Sequence, residues 1–447
     1  MLSRIIISIV LVFPFENSTS DRNLDWLREG ISELIVGTLQ PDPQLTVFTR
    51  DERLAAYDKL TIPEAAVVSR ATSMKIGWDS GADFIVTGRF AGTTENFQIA
   101  ARVINLATSS AGPEIKASGK LEDIVSMTAA LGSELRANAV GAVYDRPGAH
   151  RAPLQIPSSA FENYTRGIIS TDPDKRAEYL QTAIRLHPQF TDAIFQLGRS
   201  YHEQRDFKNS NASLERIPVT HPLYLQAQFM IGLNRFYLGE FASAAAAFEK
   251  LLPANYDVLV NLGAAYLSKG EHVSALLAWR RAQDLDPLSA EAFFNSGYLS
   301  FLQNQNEAAV RDLSQSLKVR GRDSEALFLL GRAYEKLGRA EEAQRVTAQS
   351  TRLSQRVERW LTQPLPKLER LRPSTTFRDS KQIWTEERLK RRTKGQDLAS
   401  WLESIQTKVD AYQYGEAVRE LQNVLRIHPD SAEAKSLLEE VNARRNR

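Results

Sequence analysis

The sequence predicts a multidomain chain: an α/β layer domain, a mixed sheet with helices, followed by an all-α solenoid of helical hairpins. Two observations carry this. Gly198, Gly232, Gly263, Gly297 and Gly331 recur at intervals of 34, 31, 34 and 34 residues within amphipathic helical pattern, the period of stacked helical hairpins. Ahead of them, residues 1–140 read as βαβα and then βββα, the order of an α/β layer domain. Between the two lies a break at residues 141–159 with Pro147, Gly148, Pro153 and Pro157, read as a linker. The repeats are expected over 160–361. A second proline-rich linker, with Pro364, Pro366 and Pro373, is expected over 362–380, and a helical region with a degenerate repeat over 381–447.

Composition narrows the function. With 447 residues there is material for two or three folding units. A net charge of +2 offers no surplus of cations for neutralising phosphates, which argues against a nucleic-acid binder. There is no cysteine, so disulfides, thiolate metal sites and cysteine nucleophiles are excluded. His187, His221 and His428 each precede a proline at a repeat end and read as helix C-terminal residues, not ligands.

Taken in order, residues 5–13 are an apolar run of β-formers, too short for a membrane span. They read as a buried first strand; the apolar part of a signal peptide is the other reading, and a start further upstream stays open. Residues 23–39 place Leu24, Trp26, Leu27, Ile31, Leu34 and Ile35 at helical spacing. A strand is expected at 45–49, helices at 51–60 and 65–78, strands at 83–90, 97–105 and 114–118, and a helix at 121–140. In the strand at 83–90, Phe84 and Val86 are expected to face inward, with Ile85 and Thr87 outward. Glu16, Asp25, Asp83 and Arg102 read as structural or solvated polar groups, because no titratable cluster of catalytic spacing surrounds them.

The fullest repeat is Leu262, Gly263, Tyr266, Gly270, Ala275, Trp279, Ala282 and Pro287. Gly263 permits close helix approach, Gly270 supplies the turn, and Pro287 ends the second helix. These residues resemble the tetratricopeptide repeat. The offsets return around Gly198, Gly232 and Gly331, more weakly around Gly297 with Ser300 and Asn304, and in degenerate form at Leu180, Ala183 and Pro188 and at Ala417, Leu421, Val424 and Pro429. The short interval coincides with Pro253, which places the missing residues in an inter-repeat turn.

A second resemblance covers the first third of the chain. Val12-Phe13-Pro14-Phe15-Glu16-Asn17, Leu24-Asp25-Trp26-Leu27, residues 81–88 and Ala101-Arg102-Val103-Ile104-Asn105 are similar to the TolB amino-terminal domain. That resemblance implies an extracytoplasmic (periplasmic), non-enzymatic bacterial setting, often ahead of tetratricopeptide arrays. The propeller that completes TolB is absent from the sequence.

No P-loop, dinucleotide fingerprint, zincin motif or nucleophile elbow is present, so the chain reads as no enzyme, with no cofactor and no metal. Arg388, Lys390, Arg391, Arg392 and Lys394 form a basic run, either a patch for nucleic acid or anionic lipid or a solvated helix end. The candidate surface is the concave face of the repeats, offered to a protein or peptide partner. Phe195, Phe229, Val260, Phe294 and Phe328 lie three residues before the repeat glycines. Arg199, Leu233, Tyr298 and Arg332 lie one residue after them, and His202, Phe236 and Phe301 one turn further. If exposed, the first row is a ladder of apolar anchors; the competing reading is helix packing. The lysine–asparagine clamp that some tetratricopeptide proteins use for a terminal carboxylate is not recognisable here, which favours a hydrophobic groove. The alternative role is an envelope assembly component whose α/β domain recognises the partner while the repeats act as a spacer.

Overall fold

The structure is a computed structural model that describes residues 8–42, 45–140, 156–252, 255–373 and 431–445, with single positions between 402 and 424. The α/β domain holds strands β1 (Ser8–Val12), β2 (Glu16–Asn17), β3 (Leu45–Val47), β4 (Phe84–Gly92), β5 (Phe97–Asn105), β6 (Ser110–Ala111) and β7 (Ile115–Gly119). Its helices are α1 (Trp26–Leu39), α2 (Arg50–Lys59), α3 (Arg70–Asp79) and α4 (Ile124–Val140). The sheet is mixed: β3, β1 and β4 run parallel, while β5 pairs antiparallel with β4, β6 and β7.

Both faces of the sheet are covered. Val10, Val12 and Val86 pack with Ile31 and Ile35 of α1 and Leu131 and Leu135 of α4. Ile9, Leu11 and Ile85 pack with Tyr57 of α2 and Ile76 of α3. This corrects the expected outward face of β4: Ile85 is fully buried, because a strand parallel to its neighbour with helices on either side has no solvent face. Thr49 closes a capping box with Glu52 at the start of α2. Helix α3 starts later than expected, where the Ser69 side chain caps it by accepting from the Thr72 amide. Asp83 and Arg102 have structural partners, the Ile9 amide at 2.8 Å and Glu114 at 3.1 Å.

The array consists of α5 (Ser158–Ile169), α6 (Pro173–Leu186), α7 (Thr191–Glu203), α8 (Phe207–Leu214), α9 (Tyr224–Tyr237), α10 (Phe241–Glu249), α11 (Tyr256–Lys269), α12 (His272–Leu285), α13 (Ala290–Leu302), α14 (Asn306–Val319), α15 (Ser324–Lys336) and α16 (Ala340–Leu353). Each helix packs on the next, as a helical-hairpin solenoid requires. A Cβ on Gly263 would stand 2.3 Å from Trp279 Nε1, so the indole occupies the space a side chain would need. That indole is fully buried and donates to the Val260 carbonyl at 3.0 Å. Gly270 ends α11 at φ +83°, a left-handed turn cheap only for glycine. The short interval falls where it was expected, in the connection between hairpins: six residues, 250–255, join α10 to α11 where nine, 215–223, join α8 to α9, and α8 and α10 differ by one residue in length.

The α/β domain and the first repeats share one core. Phe161, Tyr164, Leu180, Phe190 and Leu197 of the array cluster with Trp26, Leu27 and Ile31 of α1. The Trp26 and Phe161 rings meet edge-on at 6.2 Å. Most of the expected linker, residues 141–155, lies outside the described residues, as do residues 374–400 with the basic run, and Pro429. In the carboxy-terminal region, Ala417, Leu421 and Val424 are buried with Ala434 and Val441 of the closing helix Ala432–Arg445.

Candidate functional site

The chain itself lies along the first helices of the last three hairpins, α11, α13 and α15, which form the wall described here. A 3-10 turn, Gln355–Leu361, follows α16 and packs Trp360 against Phe328 at 5.4 Å. Residues 362–373 then run without helix or strand past α15 and α13 to α11. This corrects the reading of residues 362–380 as a linker, at least through residue 373. Pro364, Pro366 and Pro373 keep the segment out of a helix, and its alternation of leucine and arginine suits an extended chain with two faces.

Two asparagines hold the segment's backbone. Asn261 Nδ2 donates to the Arg372 carbonyl at 3.0 Å, and its Oδ1 accepts from the Arg372 amide at 2.7 Å. Asn295 does the same for Arg370, donating at 2.8 Å and accepting at 2.7 Å. Each carboxamide thus supplies the donor and acceptor that a neighbouring β-strand would supply, and it grips alternate residues as a strand partner does. The grip is blind to side chains. Tyr298 Oη adds a bond to the Pro366 carbonyl at 3.3 Å.

Carboxylates hold the arginines. Arg370 donates to both carboxylate oxygens of Asp323, one at 2.8 Å, and to Glu325 at 3.0 Å, with its guanidinium 3.4 Å above the Phe294 ring. Arg372 donates to Asp257 at 2.9 Å, to Glu291 at 3.3 Å and to Tyr256 Oη. Burial pushes the Asp323 carboxyl up, but the hydrogen bonds and charge of Arg370 outweigh it and hold it below its ordinary range. Burial also raises Glu291, and its backbone hydrogen bond with the charges of Arg372 and Arg320 brings the net shift down. Leu368 is the one buried residue of 362–373, set among Phe294, Leu327 and Leu330, while Leu371 packs against the cluster of Leu233, Val258 and Leu262.

The candidate residues read from sequence divide accordingly. Phe195, Phe229, Val260, Phe294 and Phe328 are all buried, Phe294 and Phe328 partly by Arg370 and Trp360 of the chain's own returning stretch. Leu233 is buried with them. Phe294 and Tyr298 do touch the segment, and Phe236 packs against the same buried cluster as Leu371. Phe301 lies under the Lys336 ammonium at 4.5 Å, His202 bonds to Asn234, and Arg332 pairs with Glu335 at 2.6 Å. Arg199 pairs with Asp51 of α2, and with Phe195 it borders a cleft of about 310 Å³ between the α/β domain and the first repeats. In that cleft the Glu33 carboxyl has one enclosed oxygen without a hydrogen-bond partner. Burial, then the charge of Glu29, pushes it up to about 7.

The groove is therefore acidic and polar where a hydrophobic one was expected. The residues missed had a signal in the same repeat register. Asp257, Glu291 and Glu325 each stand six residues before a repeat glycine, and Asn261 and Asn295 two before. Among the described residues, no group of His, Asp and Glu could hold a metal ion, and no helix is long and apolar enough to cross a membrane.

The Arabidopsis thaliana Protein CTR9 homolog is 31% identical over 125 residues, 26% of this chain and 12% of that protein. The Bos taurus BBSome complex member BBS4 is 24% identical over 193 residues, 42% of this chain and 36% of that protein. The chain thus spans about a third or less of the curated relatives it matches. Among solved structures, MamA protein aligns at TM-score 0.34 and 18% identity, covering 39% of this chain and 98% of that one. YrrB, described as a TPR protein with an unusual peptide-binding site, aligns at TM-score 0.34 and 18% identity, covering 40% and 94%. The tetratricopeptide repeat family model matches residues 229–290 and 297–344, so this chain carries tetratricopeptide repeats there.

Proposed function

We propose that this chain is a non-enzymatic scaffold that holds an extended protein segment along the concave face of its repeats. The observation that carries the reading is the pair of carboxamides, Asn261 and Asn295, one repeat apart and each closing two hydrogen bonds on a single residue of an extended backbone. Such a grip needs only a chain that can extend, so a segment of another protein can satisfy it as the chain's own residues do.

Hydrogen exchange on the full chain tests the grip. The Arg370 and Arg372 amides should exchange slowly in the native protein. With Asn261→Ala and Asn295→Ala together, that protection should fall while the helices keep theirs. Unchanged protection would sink the reading, because the asparagines would then hold nothing.

A second reading is an envelope component in which the α/β domain recognises the partner and the repeats act as a spacer. It draws on the similarity of the first third to the TolB amino-terminal domain and on the cleft beside Glu33, where the α/β domain meets the array. Substitutions lining the cleft, not truncation, separate the two readings, since truncation would strip the core that α1 shares with α5.

A further inference from the structure

We propose that the groove selects extended segments that carry an apolar residue followed by arginines two and four positions later, and that residues 368–372 occupy it until such a segment displaces them. The proposal rests on the scaffold reading above and names the chemistry of its partner: a basic, extended segment of another protein.

Three features of the inner wall point there. The two arginine sites share one repeat position, since Asp257, Glu291 and Glu325 recur at intervals of 34 residues on α11, α13 and α15, and Asp323 is added at the Arg370 site. Successive arginines of an extended chain therefore meet successive carboxylates, and Arg372 spans two of them, Asp257 and Glu291. The sites also suit guanidinium better than ammonium. Asp323 takes Arg370 through both of its oxygens while the Phe294 ring lies flat beneath, a forked and stacked arrangement that a lysine cannot fill. Leu368 sets the register, because it is buried in the layer of Phe294, Leu327 and Leu330, against which Leu365 packs only partly covered.

The occupant is held as a ligand is held. Residues 362–373 add no helix or strand, and all but Leu368 keep some exposure. A segment outside the helices, with one buried side chain, leaves the wall without unfolding the repeats that form it. Its tether keeps it at high effective concentration, so it sets a threshold that only a segment of matching charge pattern, or one with further contacts, overcomes.

The test uses the full chain with its own segment loosened, as Arg370→Ala with Arg372→Ala, and independently as Leu368→Ser, which leaves the carboxylates and asparagines in place. The probes are a fluorescent peptide of residues 364–373 and the same peptide with both arginines replaced by alanine, read by anisotropy. Truncating a buried charged partner weakens binding by about thirty-fold or more, so the opened chains should prefer the arginine peptide by at least that factor. They should also bind it more tightly than the intact chain does. Equal binding of the two peptides would overturn this proposal and leave the scaffold reading standing. No binding of either would overturn both readings, and equal affinity for intact and opened chains would overturn the displacement.

Discussion

At the scale of residues, the buried charges of the α/β domain are the most exacting feature. Arg53 is 2% exposed and donates to the Val12 carbonyl and Ser32 Oγ, both at 3.1 Å, and to Glu29. Glu33 beside them has no such partner on Oε1. Burial raises its pKa from 4.5 to about 7, so the folded state binds a proton that the unfolded state has released. The stability cost is therefore absent below pH 4.5, grows as pH rises, and is complete above about 7. Because the side chain as a whole is only half-buried, the cost is on the order of 2 kcal/mol rather than the full value of the shift. Glu33→Gln should therefore stabilise the protein at about pH 8.5 by that amount and leave it unchanged near pH 4. Thermal melts at the two pH values check this, and a pH-independent difference would contradict it.

At the scale of elements, the groove segment is the decisive one. Its attachment depends on carboxylates held below their ordinary values of 3.8 for Asp323 and 4.5 for Glu291. A depressed carboxyl contributes above its unfolded pKa and loses that contribution as pH falls through the folded one. The segment should stay seated at neutral pH and release only in acid, below those ordinary values. Tryptophan fluorescence reporting on Trp360 against Phe328 follows the release, and a transition near neutrality would point to other groups. The helices themselves were legible in the sequence, since period and turn residues such as Gly270 are local signals. The groove was legible only in part. The phenylalanine row satisfied a helical stripe whether it faced core or partner, and the chain's own returning stretch covers part of it at Phe294 and Phe328. The acids and asparagines shared the repeat register yet were scattered among other polar residues. Their meaning came from a segment more than 70 residues downstream of Asn295, a pairing that no local pattern encodes. Prolines marked that segment as non-helical, which a linker and a groove occupant have in common.

At the scale of the molecule, the α/β domain closes the open end of the array as well as preceding it. Phe161 and Tyr164 face α1 and the core that it shares with the sheet. Removing residues 1–140 should expose both rings, a loss on the order of 5 kcal/mol of apolar burial, and lower the melting temperature of the remaining array or cause it to aggregate. An array that melts as before would show the two units to be independent. The division into an α/β unit and a helical array was readable from element order; the continuity of their core was not, because Trp26 and Phe161 are separated by 135 positions.

The returning segment also changes the mechanics of the solenoid. In most stacked-repeat proteins force and unfolding pass only between adjacent units, so the whole behaves as a spring. Here the segment after α16 runs back to α11 and bonds to α15, α13 and α11 on the way, so these repeats are joined by a second path besides helix packing. Releasing it would leave those repeats joined through their helices alone.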